Sequence, residues 1–220
     1  MEKKQVKSKQ RVADHGEVFT AEREVKAMCD LVYDDTQNIY SRFLEPACGD
    51  GNFLAEILTR KLQCSQMQKY KRSPFDWETN SLLALGSLYG VDILQDNCEI
   101  CRERLFEIWN KEYKRICKKE CNDDTCESAR FILRRNIVCG NALSLKCVDE
   151  KGNDTDEPIV FSQWAFIDKF RMQRKDYTFA ELLEQPEAEQ LSMGIDQQSD
   201  GEGKFIKEYV VHYRRIAEND

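Results

Sequence analysis

The sequence predicts an α/β fold built on a doubly wound, mainly parallel sheet. Three short apolar segments, each suited to a buried strand, alternate with longer segments whose apolar residues recur at helical spacing. The first apolar segment runs into a turn with two glycines, and a helical segment follows at once. Strands that alternate with helices favour parallel pairing, because each helix returns the chain to the start of the next strand.

The first part of the predicted sheet is one strand between two helices. Residues 22–32 suit a helix, because apolar side chains recur there at i, i+3, i+4 and i+7. Residues 42–45 suit a short strand, which leads into a glycine-rich turn over residues 46–51. Residues 53–62 then place apolar side chains on one face of a second helix.

Two more strands are predicted further along the chain, over residues 88–93 and 136–139. A long amphipathic helix over residues 97–118 separates them, and we expect polar loops over residues 70–80 and 120–127. After Lys146 the alternation weakens. We therefore expect an incomplete sheet that is followed by an irregular C-terminal extension.

Composition indicates a soluble, globular chain with an uneven charge. Of its 220 residues, 41% are hydrophobic and 33% are charged, which suits one domain with its own core. The net charge of −7 comes from residues 176–220, which carry 11 acidic and four basic side chains. We expect a flexible basic N-terminus over residues 1–10, a main domain over residues 11–150 and an extension over residues 151–220.

The chain contains ten cysteines, and its first ten residues are basic and polar with no apolar stretch behind them. We expect no secretory signal, a cytoplasmic location without membrane association, and cysteines that remain thiols. Cys98 and Cys101 have the spacing of a zinc knuckle. Because they share a helical face with Leu105 and Trp109, a core position is the favoured interpretation, and no metal is expected.

Polar or small residues end each of the three predicted strands. Glycines in the turn over residues 46–51 let the backbone approach a ligand, and the helix that follows offers free N–H groups. Asp92 ends the second strand, where a carboxylate can accept hydrogen bonds from ribose hydroxyls. Asn141 ends the third strand and can contact an adenine amino group. Together the strand ends predict a site for a nucleoside-containing cofactor.

Four ordered segments resemble the adenine-specific DNA methyltransferases of restriction–modification systems. They are Gly16-Glu17-Val18-Phe19-Thr20, Glu45-Pro46-Ala47-Cys48-Gly49-Asp50-Gly51, Gly90-Val91-Asp92-Ile93 and Gly140-Asn141-Ala142-Leu143. The resemblance covers residues 11 to about 146 in the family's order and spacing. It implies a Rossmann-like methyltransferase sheet, a cofactor-binding domain over residues 11–150, and methyl transfer to the exocyclic nitrogen of adenine in DNA.

The resemblance also implies which residues bind the cofactor, S-adenosylmethionine. Asp92 would hold the ribose hydroxyls, Ile93 would pack on the adenine ring, and Asn141 would contact the adenine amino group. The family often has Asp where this chain has Asn141, whose carbonyl oxygen can still accept a hydrogen bond. The full set of implied cofactor-binding residues is Phe19, Thr20, Glu45, Pro46, Ala47, Gly49, Gly51, Asp92, Ile93, Asn141 and Ala142.

One element of that family is missing from the sequence. The enzymes carry Asp or Asn, two prolines and an aromatic residue after the fourth strand, where the flipped target adenine is held. This chain has four prolines, no two of them adjacent, so its catalytic residues are not assigned. It is then half of a split enzyme with a catalytic partner protein, a non-catalytic relative that binds cofactor or docks on DNA, or an enzyme with a diverged loop in which Trp164 or Phe166 stacks on the base.

One further alternative concerns the substrate. A methyltransferase that acts on RNA or a small molecule would share the cofactor pocket, although the segment Gly16–Thr20 argues for the DNA enzymes.

A basic run with interleaved aromatic residues indicates DNA contact or a solvated surface loop. The DNA-binding candidates in that run are Lys169, Arg171, Arg174 and Lys175.

Overall fold

The computed structural model describes residues 20–184 and 206–218, together with residues 8, 10, 11, 13 and 18. Its helices are α1 (Glu22–Leu31), α2 (Tyr33–Thr36), α3 (Asn52–Gln63), α4 (Ser65–Tyr70), α5 (Pro74–Gly86), α6 (Gln95–Cys117), α7 (Asp123–Asn136) and α8 (Phe179–Glu184). Short 3-10 helices lie at Lys118–Glu120 and Tyr213–Glu218. Within the described ranges, none of the helices combines the length and the apolar character that crossing a bilayer requires.

The strands of the described ranges form two sheets. They are β1 (Phe43–Glu45), β2 (Leu88–Asp92), β3 (Ile137–Asn141), β4 (Lys146–Val148), β5 (Asp154–Pro158), β6 (Val160–Phe166), β7 (Arg171–Thr178) and β8 (Lys207–His212). The first sheet has the order β1-β2-β3-β4-β5, with β1, β2 and β3 parallel and β4 and β5 antiparallel. The second sheet is the antiparallel set β6-β7-β8. The predicted α/β class is confirmed, but the first sheet is mixed.

Two helices lie where the sequence predicted loops. Helix α5 begins at Pro74, and the Ser73 hydroxyl caps it by accepting a hydrogen bond from the Asp76 N–H at 3.3 Å. Helix α7 begins after Asn122, whose side chain accepts from the Asp124 N–H at 2.8 Å. The prediction of loops there was wrong. Both helices begin at capping residues that are visible in the sequence and that indicate a helix start.

Alternate residues of the parallel strands reach two separate cores. Leu88 and Ile137 pack with the helices that connect the strands, whereas Tyr89 and Val91 point to the opposite face. That second face is covered by a smaller cluster containing Ile159, Phe161 and Phe179. The connecting helices therefore pack on one face, which departs from the predicted doubly wound arrangement, and the smaller cluster covers the other face.

A buried carboxylate attaches the C-terminal segment to the helices. Glu78 of α5 is only 2% exposed. It accepts hydrogen bonds from the hydroxyls of Tyr113 at 2.8 Å, Thr125 at 2.9 Å and Tyr213 at 2.7 Å. Arg214 completes its surroundings with an ion pair at 2.9 Å. Four donors from three parts of the chain therefore converge on one side chain.

We predict that Glu78→Gln destabilises the protein by roughly 2–4 kcal/mol, because the amide would direct N–H groups at hydroxyl and guanidinium donors and would leave Arg214 without its counter-charge. Denaturant unfolding measures the change. Glu103→Gln is the control, since it breaks an exposed ion pair with Arg130 and should cost less than about 0.5 kcal/mol. Equal costs for the two variants would contradict this role of Glu78.

A buried lysine connects α3 to the amino ends of two strands. The Lys61 ammonium donates to the Ile39 carbonyl at 3.3 Å, to the Ser41 carbonyl and to the Ser87 hydroxyl at 2.7 Å. Ser41 precedes β1 and Ser87 precedes β2. Burial lowers the pKa of Lys61 from 10.5 to about 7, so the side chain titrates near neutrality.

We predict that Lys61 makes stability rise with pH above neutrality. Between pH 7 and pH 10.5 the unfolded chain binds a proton that the folded side chain releases, so raising the pH favours the folded state. The unfolding free energy of the protein relative to Lys61→Met should increase by roughly 1–2 kcal/mol between pH 7 and pH 8.5. Subtracting the value for Lys61→Met removes the contributions that the cysteines and tyrosines make to the pH dependence in both proteins. A difference that stays constant with pH would contradict the lowered pKa of Lys61.

Candidate functional site

The glycine-rich turn is held in shape by backbone conformation and by one arginine. Gly49 and Gly51 adopt positive φ angles of 51° and 83°. Asp50 is buried and pairs with Arg104 of α6 at 2.8 Å, while the same guanidinium donates to the Asn52 side chain at 2.7 Å. The turn therefore presents its backbone at the carboxyl end of β1 and leads directly into α3.

Asp92 connects the first two strand ends. One carboxylate oxygen accepts from the Gly49 N–H at 2.9 Å. The other accepts from the Leu94 N–H at 2.9 Å and from the Asn97 side chain at 3.1 Å. A carboxylate offers about four acceptor positions, so these contacts leave one for a ligand.

The third strand end lies beside the second. The Cys139 thiol of β3 donates to the Ile93 carbonyl at 3.6 Å, which joins the residue after Asp92 to β3. Asn141, the last residue of β3, is half-buried, and Ala142 packs against the second core cluster. Ala142 therefore faces the core, whereas Asn141 remains partly accessible at the sheet edge.

Glu45 and the two residues after it complete the β1 side of the site. Burial raises the pKa of the Glu45 carboxyl, and the Ala47 N–H opposes this shift by donating to it. Pro46 and Ala47 are exposed at the sheet edge. The structure thus places Glu45 at the end of β1, and Pro46, Ala47 and Gly49 on the accessible turn that follows it.

The N-terminal segment reaches the same edge. The Thr20 carbonyl accepts from the Asn52 side chain at 3.4 Å, which brings Thr20 to the start of α3. Arg11 pairs with both carboxylate oxygens of Asp96, at 2.6 and 2.9 Å. Sequence analysis placed Thr20 here but missed Arg11, because nothing local indicates its partner. Phe19 and most of the predicted N-terminal arm lie outside the described residues.

Four thiols lie beneath these strand ends. Cys48 contacts both Cys98 and Cys101, and Cys98 also contacts Cys139. The hydrogen bond to Cys101, aided by burial, raises the pKa of Cys48 well above its usual range. Cys98 and Cys101 are fully buried. Among the described residues no group of three or more potential ligands is arranged to hold a metal ion. Cys48, Cys98 and Cys101 pack in the main core.

The predicted DNA-binding residues occupy different environments. Lys169 lies over the ring of Phe75 at 5.0 Å, and Arg171 is exposed and paired with Asp168. Lys175 is half-buried on β7. Lys169 therefore lies near the first turn of α5. That turn contacts the C-terminal end of α6, where the Cys117 thiol donates to the Pro74 carbonyl at 3.6 Å, whereas the cofactor edge lies at the opposite end of α6.

The structure contradicts the prediction that Arg174 contacts DNA. The residue is 4% exposed, pairs with Asp176 at 3.1 Å and lies 3.9 Å from the centre of the Tyr209 ring. Alternation along β7 turns this side chain toward α7, where the ring of Phe131 also packs on it. Its guanidinium is inaccessible to a phosphate, so Arg174 stabilises the second sheet and is not a DNA contact in this structure.

The two aromatic residues considered for a diverged catalytic loop are partly buried and pack against the main core. Trp164 packs against Gly86 and Phe131, at the amino end of β2. Phe166 packs against Tyr213, with ring centres 5.8 Å apart. Neither ring lies near the strand ends that carry Gly49 and Asp92. The structure therefore gives no support to stacking of a target base on Trp164 or Phe166.

Comparison of the chain with protein-family models, curated proteins and solved structures found no match. The assignment of the site consequently depends on the geometry of the chain's own residues. That geometry brings Gly49, Asp92, Ile93 and Asn141 to one edge of the sheet.

We predict that Gly51→Ala costs roughly 2–4 kcal/mol of stability, because it combines a positive φ with a steric clash. A Cβ on Gly51 would lie 2.6 Å from the Cys101 sulfur. Gly152→Ala is the matched control: its φ is 80°, but the nearest atom to its Cβ is 3.9 Å away. Chemical denaturation should give about 1 kcal/mol for the control, and Cys101→Ala should recover part of the Gly51→Ala loss. Equal costs at both glycines would contradict the clash.

Proposed function

We propose that this chain is the S-adenosylmethionine-binding half of a DNA adenine methyltransferase, and that a partner protein supplies the catalytic element. One observation carries the proposal: the three strand ends that resemble the family's motifs lie side by side. The Gly49 N–H bonds to Asp92 at 2.9 Å, and Cys139 bonds to the Ile93 carbonyl at 3.6 Å. Ligands of open α/β sheets bind at such carboxyl ends.

The positions of the residues suggest which part of the cofactor each strand end would bind. The turn around Gly49 and Gly51, together with Glu45, would take the methionine end, where the backbone is close to the first turn of α3. Asp92 has one free acceptor position, so we expect it to hold one ribose hydroxyl directly. Adenine would lie between Ile93 and the end of β3.

In this proposal the parallel strands are the first half of a Rossmann-like methyltransferase sheet. No strand among the described residues pairs with the outer edge of β1. Because backbone groups alternate along a strand and Phe43 bonds toward β2, the N–H and C=O of Leu44 face outward. A groove lined in part by Leu44, Tyr89, Phe161 and Leu183 adjoins that edge.

The open edge suggests where the missing element would enter. A partner strand added in parallel to β1 would end beside the glycine-rich turn, next to the methyl group of the bound cofactor. An Asp/Asn-Pro-Pro-aromatic segment at that strand end could then hold a flipped adenine at the transferred methyl group. The packing of Trp164 and Phe166 against the core, away from the strand ends that carry Gly49 and Asp92, supports a catalytic element on another chain.

We predict that the purified chain binds S-adenosylmethionine with 1:1 stoichiometry in calorimetric titration. Asp92→Asn should weaken binding at least about 10-fold, because it removes a charged acceptor for a ribose hydroxyl. Asp156→Asn, which makes the same change at an exposed position on β5, should bind like the parent chain. Thermal unfolding of each variant distinguishes loss of the site from loss of the fold. Equal affinities for all three proteins would contradict the role of Asp92.

We predict that the chain alone transfers no methyl group to DNA. Combined with a partner that carries the Asp/Asn-Pro-Pro-aromatic segment, such as the product of an adjacent gene, it should methylate adenine, detected as radiolabelled methyl incorporation. Leu44→Lys should weaken the association and the methylation while leaving cofactor affinity unchanged. Cofactor binding without methylation in the presence of such a partner would instead favour a non-catalytic cofactor-binding relative.

A further inference from the structure

A carboxylate from a later hairpin lies beside the end of β3. Asp154 is the first residue of β5, and it accepts a hydrogen bond from the Asn141 side-chain nitrogen at 3.0 Å. Hydrogen bonds from Ser144 and Asn141 lower the pKa of Asp154 below its ordinary value. The carboxyl is therefore ionised at neutral pH and acts only as an acceptor.

The orientation of Asn141 makes it a poor acceptor for a ligand. Its side-chain oxygen already accepts from the Leu143 N–H at 3.0 Å, which closes the turn after β3. Its side-chain nitrogen is the donor to Asp154. Asp154 uses two of about four acceptor positions, for Asn141 and Ser144, so it has more acceptor capacity left than Asn141 has.

The hairpin that carries Asp154 also reaches the end of β2. Gly152, in the turn between β4 and β5, faces Ile93, and a Cβ placed on Gly152 would lie 3.9 Å from that side chain. Leu143, two residues beyond Asn141, is 96% exposed and offers an apolar surface. Ile93, Asn141, Leu143 and Asp154 thus border one region at the sheet edge.

We propose that Asp154 selects adenine in the cofactor by accepting a hydrogen bond from its exocyclic amino group, and that Asn141 positions Asp154. This inference rests on the proposed cofactor site. An adenine amino group is a donor and matches a carboxylate. Hypoxanthine carries a carbonyl oxygen at the same ring position, so a carboxylate there repels it. Asp154 is therefore a specificity residue that belongs to none of the motif segments.

The test compares two ligands in calorimetric titration: S-adenosylhomocysteine and its deaminated analogue, S-inosylhomocysteine. We expect the chain to prefer the adenine compound by about 10-fold or more, since a hydrogen bond to a charged group is at stake. Asp154→Asn should reduce that ratio severalfold, because an amide can donate to the carbonyl oxygen of hypoxanthine while still accepting from Asn141. A purely structural role of Asp154 would change both affinities together and leave the ratio unchanged.

Asp156→Asn is the matched control, because it makes the same substitution two residues along the same strand, and its ratio should equal that of the parent chain. If the chain binds S-adenosylhomocysteine but Asp154→Asn and Asp156→Asn give the same ratio, adenine selection by Asp154 is overturned and the cofactor site stands. If the chain binds neither compound, the cofactor site itself is overturned and the role of Asp154 falls with it.

Discussion

The carboxylate of Asp92 is the constraint on which the candidate site depends. It fixes the glycine-rich turn through Gly49, closes the turn after β2 through Leu94, and holds the first turn of α6 through Asn97. These donors would otherwise require other partners in a partly buried place. The proposed cofactor would use the one acceptor position that these contacts leave. The protein's own hydrogen bonds therefore organise the site without a ligand, and Asp92 could accept only one ribose hydroxyl.

The parts of this arrangement that sequence could predict are those encoded locally. An apolar segment followed by glycines indicates β1 and its turn, and strand-terminal Asp92 and Asn141 follow from the same alternation. Contacts between distant segments carry no such pattern. Arg104 could not be matched to Asp50, nor Glu78 to Tyr213, because neither periodicity nor local charge encodes a partner so far along the chain.

Two residues show that strand pairing determines the environment of a side chain. Arg174 lies in a basic run that suggests a solvated surface, yet β7 turns it inward against Asp176 and Tyr209. Asp154 lies in the part of the chain where the sequence predicted an irregular extension, yet pairing of β5 with β4 carries it to Asn141. Strand register, which depends on tertiary pairing, decided both positions.

No strand in the described part of the chain covers the outer edge of β1, and the shortness of that edge limits how a partner could bind there. Because β1 has only three residues, Leu44 alone directs its backbone groups outward, and two hydrogen bonds contribute only about 1 kcal/mol each. An unpaired edge this short costs the isolated chain little, which is compatible with a half sheet that folds without its complement. Most of the affinity for a partner strand must then come from the adjoining groove, where Leu44 and Leu183 are exposed above the buried rings of Tyr89 and Phe161. Apolar burial, more than strand pairing, would decide whether the two halves stay together.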